Sequence, residues 1–247
     1  MKNFSIILST VAIILATVAI VKVFDTKAPS ATPAAPSAIS QEDVASILTK
    51  NPKVVVDALQ AYERQRAEEE EKAAAELLEK YAGEISSDEG VPFVGPKDAK
   101  VTVTEFFDFS CGYCKRLSPE IEKLVTDNAD VKFVFKPLTF VSPNSTYQAK
   151  AGFAAFKQGK FMEFYKGVME GNAGSEELVD AIAQGAGVNL DKYKADIDSD
   201  DVKKSLAAVA EFAQKIRVNG VPSLFINAKQ VHDRSADELQ KTINAAK

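Results

Sequence analysis

Apolar and polar positions change their period several times along this chain, and each change marks an element. Asn3 to Val21 is an uncharged, mostly aliphatic run of nineteen residues between Lys2 and Lys22. It is longer than an ordinary signal h-region and long enough to cross a bilayer. Residues 1–25 therefore read as a signal peptide or a transmembrane anchor. The anchor is favoured, because no good small-x-small cleavage site follows closely, and either form exports the rest. Residues 26–40 are rich in Pro, Ala and Ser, the composition of an extended spacer.

From residue 41 to 82 the pattern is helical. Ser40 is expected to cap the first helix, with Glu42 and Asp43 in its first turn. Asn51 should then cap a second helix that has Pro52 at its first position. Val44, Leu48, Val55, Leu59 and Tyr62 recur at helical steps, and the apolar face vanishes from Glu63 to Lys72 except for Ala67. It resumes at Ala73, Ala74, Leu77, Leu78 and Tyr81, with Glu68–Lys72 and Glu76–Lys80 as i,i+4 pairs. Apolar ends flanking a charged middle suggest a self-association stalk whose ends pack against neighbouring copies. The repeat is too short and irregular to set the number of strands.

Residues 83–247 carry a different alternation. Phe93 marks an early strand, and Val101 to Ser110 reads as a buried strand of β-branched and aromatic residues. Lys115 to Val125 places Leu117, Ile121, Leu124 and Val125 at helical spacing, and Val131 to Leu138 alternates as a strand. Helices follow over 143–157, 160–169, 176–184, with Ser175 as its cap, 190–197 and 200–216. Gly220 to Asn227 is a turn and strand, Val231 a short last strand, and Asp237 to Ala246 a closing helix capped by Ser235. That order predicts an α/β layered domain with a helical insertion at about 143–216.

Composition narrows the chemistry. The net charge of −5 leaves no basic footprint for nucleic acid. The two cysteines are Cys111 and Cys114, in Cys-Gly-Tyr-Cys, where the strand ends and the helix begins. Backbone N–H groups and the positive dipole end of a helix favour an anion there, and a thiolate is the attacking species in disulfide exchange. Cys111 is thus a candidate nucleophile and Cys114, one turn further in, a candidate resolving thiol. Zinc needs about four ligands, and two thiols with His232, the single histidine, fall short; an iron–sulfur cluster fails likewise. A structural disulfide closing so short a loop stabilises little. An exported dithiol belongs in an oxidising compartment, here a bacterial periplasm.

Glu105-Phe-Phe-Asp-Phe-Ser-Cys-Gly-Tyr-Cys-Lys115 together with Gly220-Val-Pro-Ser-Leu-Phe-Ile226 resembles the thioredoxin superfamily, in its DsbA-like branch. With the helical extension, the layout is similar to ScsC-type members linked to copper tolerance. The resemblance implies a thioredoxin fold with an inserted helical subdomain behind an α-helical oligomerisation stalk, a trimer being favoured. It implies that Cys111 attacks, Cys114 resolves, and Val221-Pro222 forms a cis-proline loop against the motif. Val221 would present its backbone to an extended substrate, with Gly112 and Tyr113 also facing it. Glu105, six positions before Cys111, would be a buried carboxylate accepting the Cys114 proton; otherwise it is a solvent-facing strand residue.

One departure bears on mechanism. The strongest oxidant of that branch has a histidine between its cysteines; with Gly112-Tyr113 there, a less oxidising couple is expected. The implied activity is a protein-disulfide isomerase or reductase needing no cofactor or metal. Its partners would be misfolded or reduced exported proteins and a membrane redox protein. Val221 before the proline is the residue of oxidases, so a dithiol oxidase remains open, as does a Cu(I)-binding role for the two thiols.

Overall fold

The computed structural model describes residues 40–247. The signal peptide or anchor at 1–25, and the 26–40 linker apart from Ser40, lie outside the described residues. The chain divides into two compact units, one ending at Tyr62 and the other running from Glu63 to Lys247.

In the first unit, α1 (Gln41–Lys50) opens with a reciprocal cap: Asp43 N–H donates to Ser40 Oγ, and Ser40 N–H to Asp43 Oδ2. Helix α2 (Pro52–Lys80) begins with its proline in place, but Asn51 does not cap it as expected. The Asn51 amide instead donates to the Ile47 carbonyl at 2.9 Å, satisfying the last turn of α1. The carbonyls that end α1 have no partners within the helix, and the amide supplies a donor to one of them. Val44, Ile47, Leu48, Val55, Leu59 and Tyr62 are exposed by 39–58 %.

The second unit takes over the end of α2. Leu78 and Tyr81 pack on the unit's own core, Tyr81 edge-on to Phe212 at 6.3 Å. This differs from the expectation that both apolar ends meet neighbouring copies. The cause lies just beyond, in α3 (Ala82–Ile85): Ile85 is fully buried, and its carbonyl accepts from Thr104 Oγ1 at 2.9 Å. Along α2, Lys72 lies beside Glu76 rather than Glu68, an exposed pair worth little.

A five-stranded sheet forms the middle layer, in the order β1-β3-β2-β4-β5. The strands are β1 (Phe93–Val94), β2 (Thr102–Phe107), β3 (Lys132–Pro137), β4 (Ser223–Ile226) and β5 (Lys229–Val231). β2 and β3 are parallel and the other pairings antiparallel. Every residue of β2 is buried, which explains why its polar–apolar alternation fades into a continuous apolar run.

Side chains alternate between two faces of this strand. Phe107 faces a core of Phe133, Phe135, Phe164, Tyr165 and residues of α4 (Gly112–Asp127), α6 (Phe161–Glu170) and α10 (Ala236–Ala246). Phe106 faces a second cluster with Ile85, Val134, Phe225 and the apolar side of α9 (Asp200–Lys215). Between β3 and β4 come α5 (Ser145–Lys157), α6, α7 (Glu176–Gly185) and α8 (Leu190–Ile197), then α9, matching the expected insertion closely. Ser175 caps α7 through Leu178 N–H, as expected, whereas Ser235 precedes α10 without a side-chain cap bond. Asp233 holds the Ser235 N–H instead, at 2.9 Å.

Candidate active site

The site forms where β2 ends. Strand β2 stops at Phe107, and Asp108 turns the chain: its Oδ1 accepts from Ser110 N–H at 2.8 Å and its carbonyl from Cys111 N–H at 2.9 Å. The turn delivers Cys111 to the N-cap of α4 with extended backbone, φ −75° and ψ 120°. Cys114 follows one turn later on the inner side of the helix, fully buried, while Cys111 keeps 7 % of its surface. Both are free thiols. Cys111 thus sits nearer the surface, while Cys114 is fully enclosed.

The Val221-Pro222 bond is cis, and the loop it shapes places the Val221 carbonyl 3.6 Å from Cys111 Sγ. Tyr113 is 69 % exposed, with the Arg116 guanidinium 4.2 Å over its ring. A Cβ on Gly112 would meet nothing nearer than Arg116, at 3.8 Å, so the glycine keeps the surface beside the sulfur low without being sterically required.

Glu105 is buried rather than solvent-facing, with 2 % of its surface exposed. Burial pushes its carboxyl up to about 8, partly countered by a hydrogen bond from Tyr165. Burial also drives the Cys114 thiol far above its ordinary range, helped by the Glu105 charge beside it. A buried thiol and a buried carboxyl that both resist ionisation are suited to passing one proton between them.

Thus the seven residues named from the sequence fall into two groups. Gly112 and Tyr113 are exposed and Val221 is half-buried, with Cys111 and Pro222 buried next to them, while Cys114 and Glu105 are more deeply enclosed. Exposed His232 lies apart, against the β5 edge. Sequence reasoning missed Asp108, which is fully buried, and whose carboxylate also accepts from Val141 N–H at 3.0 Å and Ser145 Oγ at 2.8 Å. These bonds hold the segment containing exposed Phe140 (61 %) and Val141 (42 %) beside the turn that carries Cys111. An Asp two positions before a Ser is an Asx-turn signal, so this residue could have been found. Tyr165 was also missed, and nothing in the sequence separates it from its core neighbours. The concavities of about 420, 480 and 510 Å³ are lined by residues away from both cysteines.

The family model described as thioredoxin matches residues 86–245, and the chain belongs to that family. The thiol:disulfide interchange protein DsbA of Pseudomonas syringae is 29 % identical over 181 residues, 70 % of this chain and 83 % of that protein. The Na(+)/H(+) antiporter NhaA 3 of Salinispora tropica is 31 % identical over 144 residues, 56 % of this chain. Only 22 % of the antiporter's length is spanned. Among solved structures, BcfH of Salmonella enterica Typhimurium superposes with a TM-score of 0.67 at 27 % identity, covering 83 % of this chain and 93 % of that one. ScsC of Proteus mirabilis shares the fold, with a TM-score of 0.61 at 23 % identity over 82 % of this chain and 93 % of that one. The DsbA-like resemblance expected from the sequence therefore holds, and the likeness to ScsC is one of fold.

Proposed function

We propose that this protein is a thiol–disulfide oxidoreductase acting on disulfides of exported proteins in a bacterial periplasm, chiefly as an isomerase or reductase. The single observation carrying this reading is the pairing of Cys111, which keeps 7 % of its surface and has its sulfur 3.6 Å from the Val221 carbonyl, with a fully buried Cys114. The Cys111 thiolate attacks a substrate disulfide, forming a mixed disulfide and releasing one substrate thiolate. Cys114 then attacks the Cys111 sulfur, its proton passing to Glu105, and the second substrate thiolate leaves. The backbone at Val221 pairs with an extended substrate segment, while Pro222, Gly112 and Tyr113 shape the surface it crosses. A membrane redox partner returns the resulting disulfide to the dithiol. No residue of this cycle calls for an organic cofactor or a metal.

The exposed stripe from Val44 to Tyr62 supports a homo-oligomer, a trimer being favoured, in which several Cys111 sites serve one client. No helix among the described residues is long and apolar enough to cross a membrane, so tethering would rest on residues 1–25.

A dithiol oxidase is the second reading, favoured by Val221 before the cis-proline and by the likeness to a DsbA protein. One assay separates the two: reactivation of scrambled ribonuclease by the reduced protein, beside a Leu59→Glu/Tyr62→Glu variant that breaks the apolar stripe. Reactivation by the wild type alone supports both isomerase function and the stalk's role in it. If neither reactivates it while the oxidised protein drives dithiols to disulfides, the oxidase reading replaces the first.

A further inference from the structure

Tyr165 sits on α6 with none of its surface exposed, ringed by Phe107, Phe135 and Phe161 at centroid distances of 5.5, 5.3 and 5.9 Å. A phenylalanine would satisfy all those contacts, and burying a hydroxyl is costly unless it is bonded. Its hydroxyl donates to one atom, Glu105 Oε2, at 3.2 Å. The other carboxyl oxygen, Oε1, is buried and without a partner. A buried carboxyl with one oxygen held and one orphaned is directional.

We propose that Tyr165 is a positioning residue for disulfide exchange, its hydroxyl holding Glu105 Oε2 so that Oε1 is the atom receiving the Cys114 proton. This rests on the oxidoreductase reading above. In the step concerned, a bond forms between the Cys114 and Cys111 sulfurs and the Cys111–substrate disulfide breaks. The substrate sulfur leaves with the electron pair as a thiolate, and the Cys114 proton moves to Glu105. Tyr165 keeps its own proton throughout. Burial and the neighbouring Glu105 charge hold its hydroxyl well above the ordinary tyrosine range, so it acts as a donor only.

The groups facing this pair are few. Cys114 and Glu122, both on α4, act electrostatically on Tyr165 beside Glu105 itself, and Cys111 acts on Cys114. Glu122 has one oxygen buried without a partner and the other 3.2 Å from exposed Lys166. No cation lies among the groups acting on Glu105, so the tyrosine hydroxyl is what favours its ionised, proton-accepting form.

The test uses the full chain, with glutathione disulfide as the probe. Acid quenching followed by mass spectrometry separates formation of the mixed disulfide at Cys111 from its resolution by Cys114 across the pH range. In Tyr165→Phe, formation should proceed at the wild-type rate. The pH midpoint of resolution should rise by about one unit, slowing that step several-fold below the midpoint, as loss of one hydrogen bond to a charged group implies. In a Glu105→Gln background the same substitution should change neither step. An unshifted midpoint in Tyr165→Phe, equal slowing of both steps, or further slowing in the Glu105→Gln background overturns the proposal. A wild-type chain that forms no mixed disulfide, or resolves it no better than Glu105→Gln, overturns the oxidoreductase reading as well.

Discussion

Glu105 and Phe135 stand directly opposite each other on β2 and β3, so the buried carboxyl has a phenyl ring where the parallel ladder could have placed a cation. The lysines of β3 alternate onto the other face. Lys136, one position on, donates to the Glu84 and Ser87 carbonyls at 3.2 and 3.1 Å beneath the second core cluster. The strand thus keeps its positive charge away from Glu105 by pleat alone.

The consequence is a pH-dependent cost to the fold. Glu105 titrates near 4.5 when unfolded and near 8 when folded, so the folded state holds the extra proton between those values. Its contribution is fully present below pH 4.5 and lost as pH rises through about 8. Glu105→Gln should flatten that decline and be more stable than the wild type at and above pH 8. Denaturant titrations at several pH values measure this, and a wild-type slope retained in the variant would exclude it.

Exposure separates the cysteines. Cys114→Ser should leave Cys111 able to attack while removing the resolving thiol, so mixed disulfides with clients accumulate. Cys111→Ser should form none, because the remaining thiol is fully buried. Non-reducing electrophoresis after incubation with a disulfide-bonded substrate distinguishes them; adducts on Cys111→Ser would contradict the assignment.

Asp108 accepts four hydrogen bonds through its carboxylate and main-chain carbonyl, from Ser110, Cys111, Val141 and Ser145. Asp108→Asn turns one carboxylate oxygen into a donor amid donors. A loss of about 1–3 kcal/mol is expected, the penalty of an unsatisfied buried group. Disulfide exchange should also slow, because the turn carrying Cys111 loosens. Calorimetry and exchange kinetics on the same sample test both.

Gly95 holds φ at +96°, and a Cβ there would lie 2.1 Å from the Val131 carbonyl oxygen. Both the conformation and the space exclude a side chain. Gly95→Ala should lower stability by about 2 kcal/mol or more, since strand β1 must move away from β3 to relieve the clash. An unchanged melting temperature would be inconsistent with this contact.

Much of this was legible in the residues. β2, α4 and β3 announce themselves because burial on both faces leaves a long apolar run, and because helical spacing resumes just after the cysteines. The Cys111–Cys114 pair and Val221-Pro222 could be named together only through resemblance, since nothing in spacing brings residues 110 positions apart into contact. Buried Glu105 was one of two readings, because a carboxylate in a strand looks alike in sequence whether it faces water or core. Tyr165 was illegible: the hydrogen bond that distinguishes it from a phenylalanine depends on a helix crossing 60 positions later. The end of α2 was misjudged for a similar reason, its apolar residues being claimed by Phe212 of a helix far downstream.

The order of strands in the sheet also sets a timetable. β2 finds β3 about thirty residues later, but its other neighbour, β4, arrives only after the whole helical insertion has been made. Closing that loop carries the larger entropy cost and should come late in folding. A chain emerging from its N-terminus therefore presents the dithiol on a half-built sheet, before the Val221 loop can flank it. During that interval the sulfurs are open to any passing oxidant. A newly made molecule thus depends on its surroundings to protect the same chemistry that the finished fold later confines.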